Sequence, residues 1–599
     1  MHNHPGTHLS RRAALKLSVG MVAFAGLGLF RSAPAIAQDS APAAPVIYSG
    51  GPILTMAGPE PAYVEALVVI DGKIALAGTM DEALKLRTSD TRLVDLQGHT
   101  LLPGFIDGHG HMIYFGKNMI DADLVGVTDI AEIVARMEVQ ADRMGPDDWI
   151  VGFGYRVPSL AQNRHPTAAE LDQISPDRPV MVVDGSGHNG AANTALLRLL
   201  GLDQDTPDPE GGSFGRNPDG TLSGPLEETA LFFVREQRPG FTGKLADDVA
   251  VNGSRIWASY GQTTAQESGV GLGKDDIDII RNAIDKQLLP IDLYLCAKDS
   301  LVSDALAAAY ATSSEYTADA TGAVEKLLAV RPDLDDRYIN RVRLGGIKLW
   351  LDGSVPTTWM SEMYEHNPPD KEGEYSGFGQ VSDEFVNGFF DKYWTSNLQI
   401  NMHMNGDAAA EQALRAIERA IETQGMADHR PVFIHNTYMR PDQIERAAKV
   451  GAFPTYTTGS LPLGGDSAIY YWGRDRVDAS MPMNTLEKAG IRFSLNHDAP
   501  ILPLPDVMAC VDAAVNRTTE AGIVVGPDER ASPYLALRAV TAYAAYQIKE
   551  EATKGTLEVG KLADLVILEG NPLTVDPVTI KDIKVLETIK EGKTIYLRE

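Results

Sequence analysis

The sequence predicts an α/β fold: a (β/α)8 TIM-like barrel carrying a small β-sandwich domain built from both ends of the chain. Two observations point there. From about residue 104 to residue 551, short apolar runs alternate with amphipathic helical stretches, the pattern of a parallel sheet covered by helices. On either side, residues 45–103 and 552–599 are strand-rich and each too short for a core of its own, so they are expected to pair into one composite domain.

In chain order, the first 37 residues stand apart. Ser10-Arg11-Arg12 leads into an apolar run from Leu17 to Phe30 and then a small-residue cleavage site, Ala35-Ile36-Ala37, the layout of a twin-arginine signal peptide. The expectation is a bacterial protein that is periplasmic or secreted, with no membrane attachment once the leader is removed, since the run is shorter than a spanning helix needs. Export in the folded state would suit a protein that takes up a metal before leaving the cytoplasm. The stretch AYVEALVVIDGKIALAG holds two apolar runs around Asp71-Gly72, a hairpin signal. The C-terminus repeats it in GKLADLVILEG and VLETIKEGKTIYL. Between the two ends, PVMVVDG, GQTTAQESG, LPIDLYLCA, VRLGGIKLWLDGS, LQINMHMNG, PVFIHN, GAFPTYT and GIRFSLNHDAP read as strands. AAAEQALRAIERAIETQG and RPDQIERAAKVG read as helices. Residues 150–250, rich in Pro, Gly and Asp, interrupt the alternation and are expected to form an insertion over the barrel mouth.

Composition narrows the function classes. With 599 residues, 44% apolar and 22% charged, the chain is an ordinary folded protein. Its formal net charge of −28, more negative still without the leader's Arg11, Arg12, Lys16 and Arg31, argues against nucleic acid and anionic membranes as partners. Cys296 and Cys510, far apart in sequence, exclude a disulfide framework or a thiolate zinc site and are expected to be buried free thiols. A homo-oligomer is compatible with the sequence.

In a parallel barrel the chemistry sits at the C-terminal ends of strands. The most informative of those ends is LLPGFIDGHGHM, where His109 and His111 lie one residue apart; in an extended strand both imidazoles face the same way, as a metal with nitrogen ligands requires. Further polar residues close or interrupt apolar runs: Lys348 in GGIKLWLDGS, His403 in INMH, His435 in VFIH and Asp498 in FSLNHD. Taken singly, each has an ordinary structural explanation. Together, four imidazoles and a carboxylate suit one or two borderline divalent ions, zinc (Zn2+) the best fit. A lysine in such a site helps only if it is not an ammonium; carboxylated by carbon dioxide it becomes a bridging anion.

With those motifs, and with HMNGDAAAEQAL, the Asp498-Ala499-Pro500 end and GTLEVGKLADLVILEGNPL, the chain resembles the amidohydrolase superfamily from about Val46 to Tyr596. Within it the chain looks like the YtcJ-like (amidohydrolase family 3) group, which includes N-substituted formamide deformylases. The resemblance implies that His109 and His111 bind the more buried metal and that His403 and His435 bind a second. It implies Lys348 as the carboxylated bridge, and Asp498 as both a metal contact and the catalytic general base. His188, in VVDGSGHNGAAN, matches a position near the substrate, where it would polarise the carbonyl or bind the leaving group. Asn193 and Glu228 also match family positions, without an assigned role. Two departures stand out. The family's Ile-Glu-His is Phe433-Ile434-His435 here, and its Gly-Ser-Asp is Asn496-His497-Asp498, which sets an extra imidazole beside the presumed base. In a regular strand His497 would point to the opposite face.

The function so implied is metal-dependent hydrolysis of a carbon–nitrogen bond in a small amide, formamide or cyclic amide. The same site would serve an esterase, lactonase or carbamate hydrolase, and a non-catalytic periplasmic binding protein is the remaining alternative. Tyr155, Trp350, Trp359, Tyr364, Tyr438, Tyr456, Tyr470, Tyr471 and Trp472, placed by the sequence near the mouth, would suit an aryl or apolar substrate group.

Overall fold

Eight strands, all parallel and in chain order, form the sheet that carries the site. They are β1 (Phe105–Ile106), β2 (Gln262–Val270), β3 (Asp292–Lys298), β4 (Val342–Trp350), β5 (Gln399–Met404), β6 (Val432–His435), β7 (Phe453–Tyr456) and β8 (Ser494–Leu495). The computed structural model describes residues 44–599 apart from 186–188, 210–211, 303–337, 355–356, 369–372 and 397. The leader expected over residues 1–37 and the expected site residue His188 therefore lie outside the described residues.

Every residue of β2 is buried, as expected for a parallel strand covered on both faces. Helix Asp407–Gln424 follows β5 and buries Ala409, Ala413, Leu414, Ile417 and Ala420, a stripe at helical spacing. Helix Pro441–Val450 follows β6 and ends on Gly451 at φ 69°, a left-handed C-terminal cap. The sheet curls until its first and last strands approach. Among the described residues no ladder pairs β1 with β8, but their extensions bond directly. The amide of Asp498 donates to the His109 carbonyl (3.1 Å), and the amide of His111 donates to the Ala499 carbonyl (2.9 Å). Gly108 permits this approach: a Cβ there would sit 2.6 Å from the Leu495 carbonyl oxygen and 2.6 Å from Ser494 Oγ.

Two other sheets flank the curled one. Strands from both chain ends share a single eight-stranded sheet in which Leu565–Leu568 runs antiparallel to Thr100–Pro103, pairing Leu565 with Pro103. Its hairpins turn at Asp71-Gly72 (φ 49° and 74°) and Glu591-Gly592 (φ 48° and 73°), the double positive-φ geometry that matches strand twist. A six-stranded sheet, from Ala122–Asp123 to Leu222–Glu228 in sequence, lies between β1 and β2 in the chain. Val180–Asp184, the PVMVVDG run read as part of the main alternation, belongs to this sheet. An apolar run bounded by turns marks a buried strand but does not say which sheet buries it. Among the described residues no helix is long and apolar enough to cross a membrane, and Cys296 and Cys510 are buried free thiols.

At the N-terminal end of the curled sheet, buried charges join it to the terminal sheet. Asp292 on β3 accepts from Lys554 and Lys590, both at 2.6 Å, while Lys590 also reaches Asp564 (2.7 Å) and Lys554 reaches Glu550 (2.7 Å). All five groups are buried. Burial alone would push the Asp292 carboxyl up; Lys554 and Lys590 outweigh it and hold it well below the usual carboxylate range. The stabilisation this carboxylate gives is therefore complete above the unfolded-state value of about 4 and is lost as pH falls through the lower folded value. Lys590→Met leaves two buried carboxylates short of a partner and should cost about 3 kcal/mol, read as a lower urea midpoint at pH 7.

Candidate metal centre

The paired histidines lie just past β1. The turn that carries them is held by Asp107, whose Oδ1 accepts the His109 amide (3.0 Å) and whose Oδ2 accepts the Trp257 indole N–H (2.9 Å). His111 is the N-cap residue of helix Met112–Asn118 and offers it no side-chain cap. Glu267, on β2, supplies the cap: its Oε2 accepts the amides of Ile113 (2.6 Å) and Tyr114 (3.3 Å), while its Oε1 holds His111 Nδ1 at 3.4 Å. One buried carboxylate thus fixes both the helix start and the ring that precedes it. His111 is left with Nε2 facing inward.

Asp498 arrives from the other end of the sheet. Its Oδ1 lies 3.2 Å from Nε2 of His109 and 3.3 Å from Nε2 of His111, and its Oδ2 lies 3.9 Å from Nε2 of His435. His109, His111 and Asp498 form the one group of metal-ligand side chains among the described residues, with ligand atoms all within 4.8 Å of one another. Neither Asp498 Oδ1 nor His109 Nδ1 has a hydrogen-bond partner among the described residues, although both are buried. An oxygen so placed, facing nitrogens that are not aligned to donate to it, is what a shared cation would satisfy. The residues present fit a divalent metal. Three of the surrounding residues, His435 (φ 65°), Asn436 (φ 39°) and Asp498 (φ 50°), occupy the left-handed region, which costs a non-glycine residue about 1–2 kcal/mol.

The other expected ligands are close by but outside that tight triangle. The His435 ring stands 5.3 Å from the His109 ring and 4.6 Å from the His403 ring, centroid to centroid. Nε2 of His403 lies 3.4 Å from Asn405 Nδ2 and 3.9 Å from Asp352 Oδ1. Lys348 is buried on β4 with its Nζ 5.3 Å from the Trp350 ring. Lys554 and Lys590 each hold at least two carboxylates, whereas Lys348 forms no ion pair among the described residues. His497 is buried and turned to other partners: its Nδ1 accepts the Ala499 amide (3.1 Å), and its Nε2 lies 3.4 Å from Asp107 Oδ1.

Electrostatics separate these groups. Burial, then Lys348, holds the His109 imidazole well below its ordinary value; burial and His435 do the same to His403; burial takes His435 down to about 4. These three rings are neutral donors at neutral pH. Burial also pulls His111 down, but Asp498 and Glu267 outweigh it and raise the ring to about 9, so a cation bound there would displace a proton. The Asp498 carboxyl, pushed up by burial, is held well below the usual range by the facing imidazoles, His435 foremost. Burial brings the Lys348 amine down to about 8, against the opposing pull of Asp498.

Two residues that shape this site escape the reading of strand ends. Glu267 is the one acid within the second strand, GQTTAQESG, and an acid inside a wholly buried strand is itself a signal. Asp352, in LDGS, is fully buried and accepts the amides of Asn405 (2.8 Å), Gly406 (2.9 Å) and Trp359 (3.1 Å), tying the loops after β4 and β5 together beside His403. Of the aromatics expected near the mouth, Tyr456 and Trp472 are buried, and buried Tyr155 bonds His165 through its hydroxyl (2.7 Å). Aromatic content in a large fold goes chiefly to packing. If the group holds a divalent metal, Glu267→Gln should weaken its binding about 10–100-fold in a chelator competition, because an amide cannot serve His111 and the two helix amides at once.

A family model described as the amidohydrolase family matches residues 92–596. The chain is 25% identical over 563 residues to YtcJ of Bacillus subtilis, covering 92% of this chain and 99% of that protein. It is likewise 25% identical over 558 residues to the N-substituted formamide deformylase of Arthrobacter pascens, covering 89% and 95%. Among solved structures, an uncharacterized metal-dependent hydrolase from Pyrococcus furiosus matches with a TM-score of 0.71 at 24% identity, over 88% of this chain and all of that one. The chain belongs to the amidohydrolase family.

Proposed function

We propose that this protein is a metal-dependent hydrolase that cleaves the carbon–nitrogen bond of a small amide, formamide or cyclic amide. The observation that carries the reading is the triangle of buried His109, half-buried His111 and buried Asp498 around an oxygen without a donor. We read the curled eight-stranded sheet as a (β/α)8 barrel bearing a β-sandwich domain built from both chain ends, which places these side chains at the barrel's C-terminal rim. The formamide-cleaving relative supports the nitrogen leaving group.

One or two divalent ions, zinc by the nitrogen-rich donor set, would be held by His109, His111, His403, His435 and Asp498, with Lys348 between them. Bound there, such an ion polarises a carbonyl and lowers the pKa of water toward 7. Asp498, kept ionised by its imidazoles, takes the proton of the attacking water on a carboxylate oxygen and hands it to the departing nitrogen. Glu267 and Thr457 hold the His111 and His435 rings so that each Nε2 faces Asp498. Lys348, buried and brought down to about 8, loses its proton more readily than an exposed lysine; the neutral nitrogen adds to the carbon of carbon dioxide and releases a proton, giving a carbamate anion in place of an unpaired ammonium. An apolar or aryl group on the substrate would rest against Trp350, half-buried at the end of β4 beside Lys348. His188 remains the proposed contact to the carbonyl or leaving group.

We further propose export by the twin-arginine route. Mass spectrometry of protein recovered from the periplasm should then find a mature N-terminus at Gln38.

Asp498→Asn should lower kcat about 10²- to 10⁴-fold, the usual worth of a general base. His109→Ala combined with His111→Ala should remove both metal, by elemental analysis, and hydrolysis of an N-substituted formamide panel. If that double variant retained both, the reading would fail. Faster turnover of matched esters than of amides would reassign the leaving group to oxygen, and full metal with no hydrolysis across amides, formamides, esters and lactones would point to a binding protein.

A further inference from the structure

The polar side chains between β1 and β6–β8 form a hydrogen-bonded chain whose direction can be followed from one end, because a backbone carbonyl can only accept. The Gly108 carbonyl takes the Nε2–H of Gln547 at 2.7 Å, which turns Gln547 Oε1 toward Ser494, 2.6 Å away. Oε1 only accepts, so the single hydroxyl proton of Ser494 is committed to it. Ser494 Oγ and Thr455 Oγ1 lie 2.7 Å apart, and Thr455 must therefore be the donor of that pair. With its proton used, Thr455 Oγ1 accepts from Asn496 Nδ2 at 2.9 Å. That orients Asn496 Oδ1 toward Thr457, which donates to it at 2.7 Å. Thr457 Oγ1 is left to accept, and the atom that faces it at 2.8 Å is His435 Nδ1. All the side chains in this chain are buried, so water does not compete for their protons.

We propose that this one-way chain sets the tautomer of His435, with the proton on Nδ1 and the bare Nε2 turned toward Asp498, and that Thr457 and Asn496 are positioning residues for that ligand. The inference rests on the metal-centre reading only for its consequence, metal affinity; the tautomer stands on the hydrogen bonds alone. It also explains why two amides and three hydroxyls occupy the interior beside the site. Reversing any one amide would oppose two donors or two acceptors, so the arrangement has a single consistent order.

The test has two arms. Nitrogen NMR of histidine-labelled, metal-free enzyme should show His435 protonated at Nδ1; Thr457→Val should lose that signature and Thr457→Ser should keep it. In a chelator competition with zinc, Thr457→Val and Asn496→Leu should bind about 10–100-fold more weakly than wild type, with Thr457→Ser close to wild type. A wild-type ring protonated at Nε2, or a folded Thr457→Val that binds zinc as tightly as wild type, would overturn the proposal. Should Thr457→Val fail to fold, Gln547→Met breaks the same chain at its far end and is read the same way. Wild-type protein that takes up no zinc would instead overturn the metal-centre reading, leaving the NMR arm to judge the tautomer.

Discussion

Asp498 is a carboxylate buried against imidazole nitrogens on a left-handed backbone, and much of the surrounding structure serves to keep it there. Its amide is tied to the His109 carbonyl, and the following residue is clamped from both sides: the Ala499 carbonyl by the His111 amide, the Ala499 amide by His497. His497 in turn faces Asp107, which carries the His109 amide and the Trp257 indole. The two ends of the curled sheet therefore meet through the residues proposed to hold the metal. The strained backbone persists because its neighbours over-determine it.

The interior of the sheet is unusual for a hydrophobic core. Gln262, Gln266, Gln399, Asn401, Thr455, Ser494, Asn496 and Gln547 are all buried, and each has hydrogen-bond partners. Such a network is costly if any member is left unsatisfied and gives one preferred arrangement if none is. Of the two departures noted in the sequence, the one at Asn496-His497 borders this network, whereas Ile434 is a buried apolar residue. Asn496 and His497 flank the group of His109, His111 and Asp498, and both are hydrogen-bonded into the structure around it.

The alternation of strand and helix, the hairpins at Asp71-Gly72 and the C-terminal end, and the i, i+2 histidines were legible because each follows from local geometry. So were the polar residues ending β5, β6 and the segment after β8. The six-stranded sheet between β1 and β2 was less so, since an apolar run looks the same in either sheet. Glu267 was illegible for a different reason: its role depends on a helix that starts 155 residues earlier, at Met112, and only the fold brings the two together.

The pairing of Leu565–Leu568 with Thr100–Pro103 has a consequence for how the protein is made. The strand Thr100–Pro103, which precedes β1 and the HxH segment, has on one side a neighbour that leaves the ribosome almost last. Contacts of such long sequence separation close late, since the intervening chain's entropy must be given up first. Nearly the whole chain must therefore be present before that edge is covered.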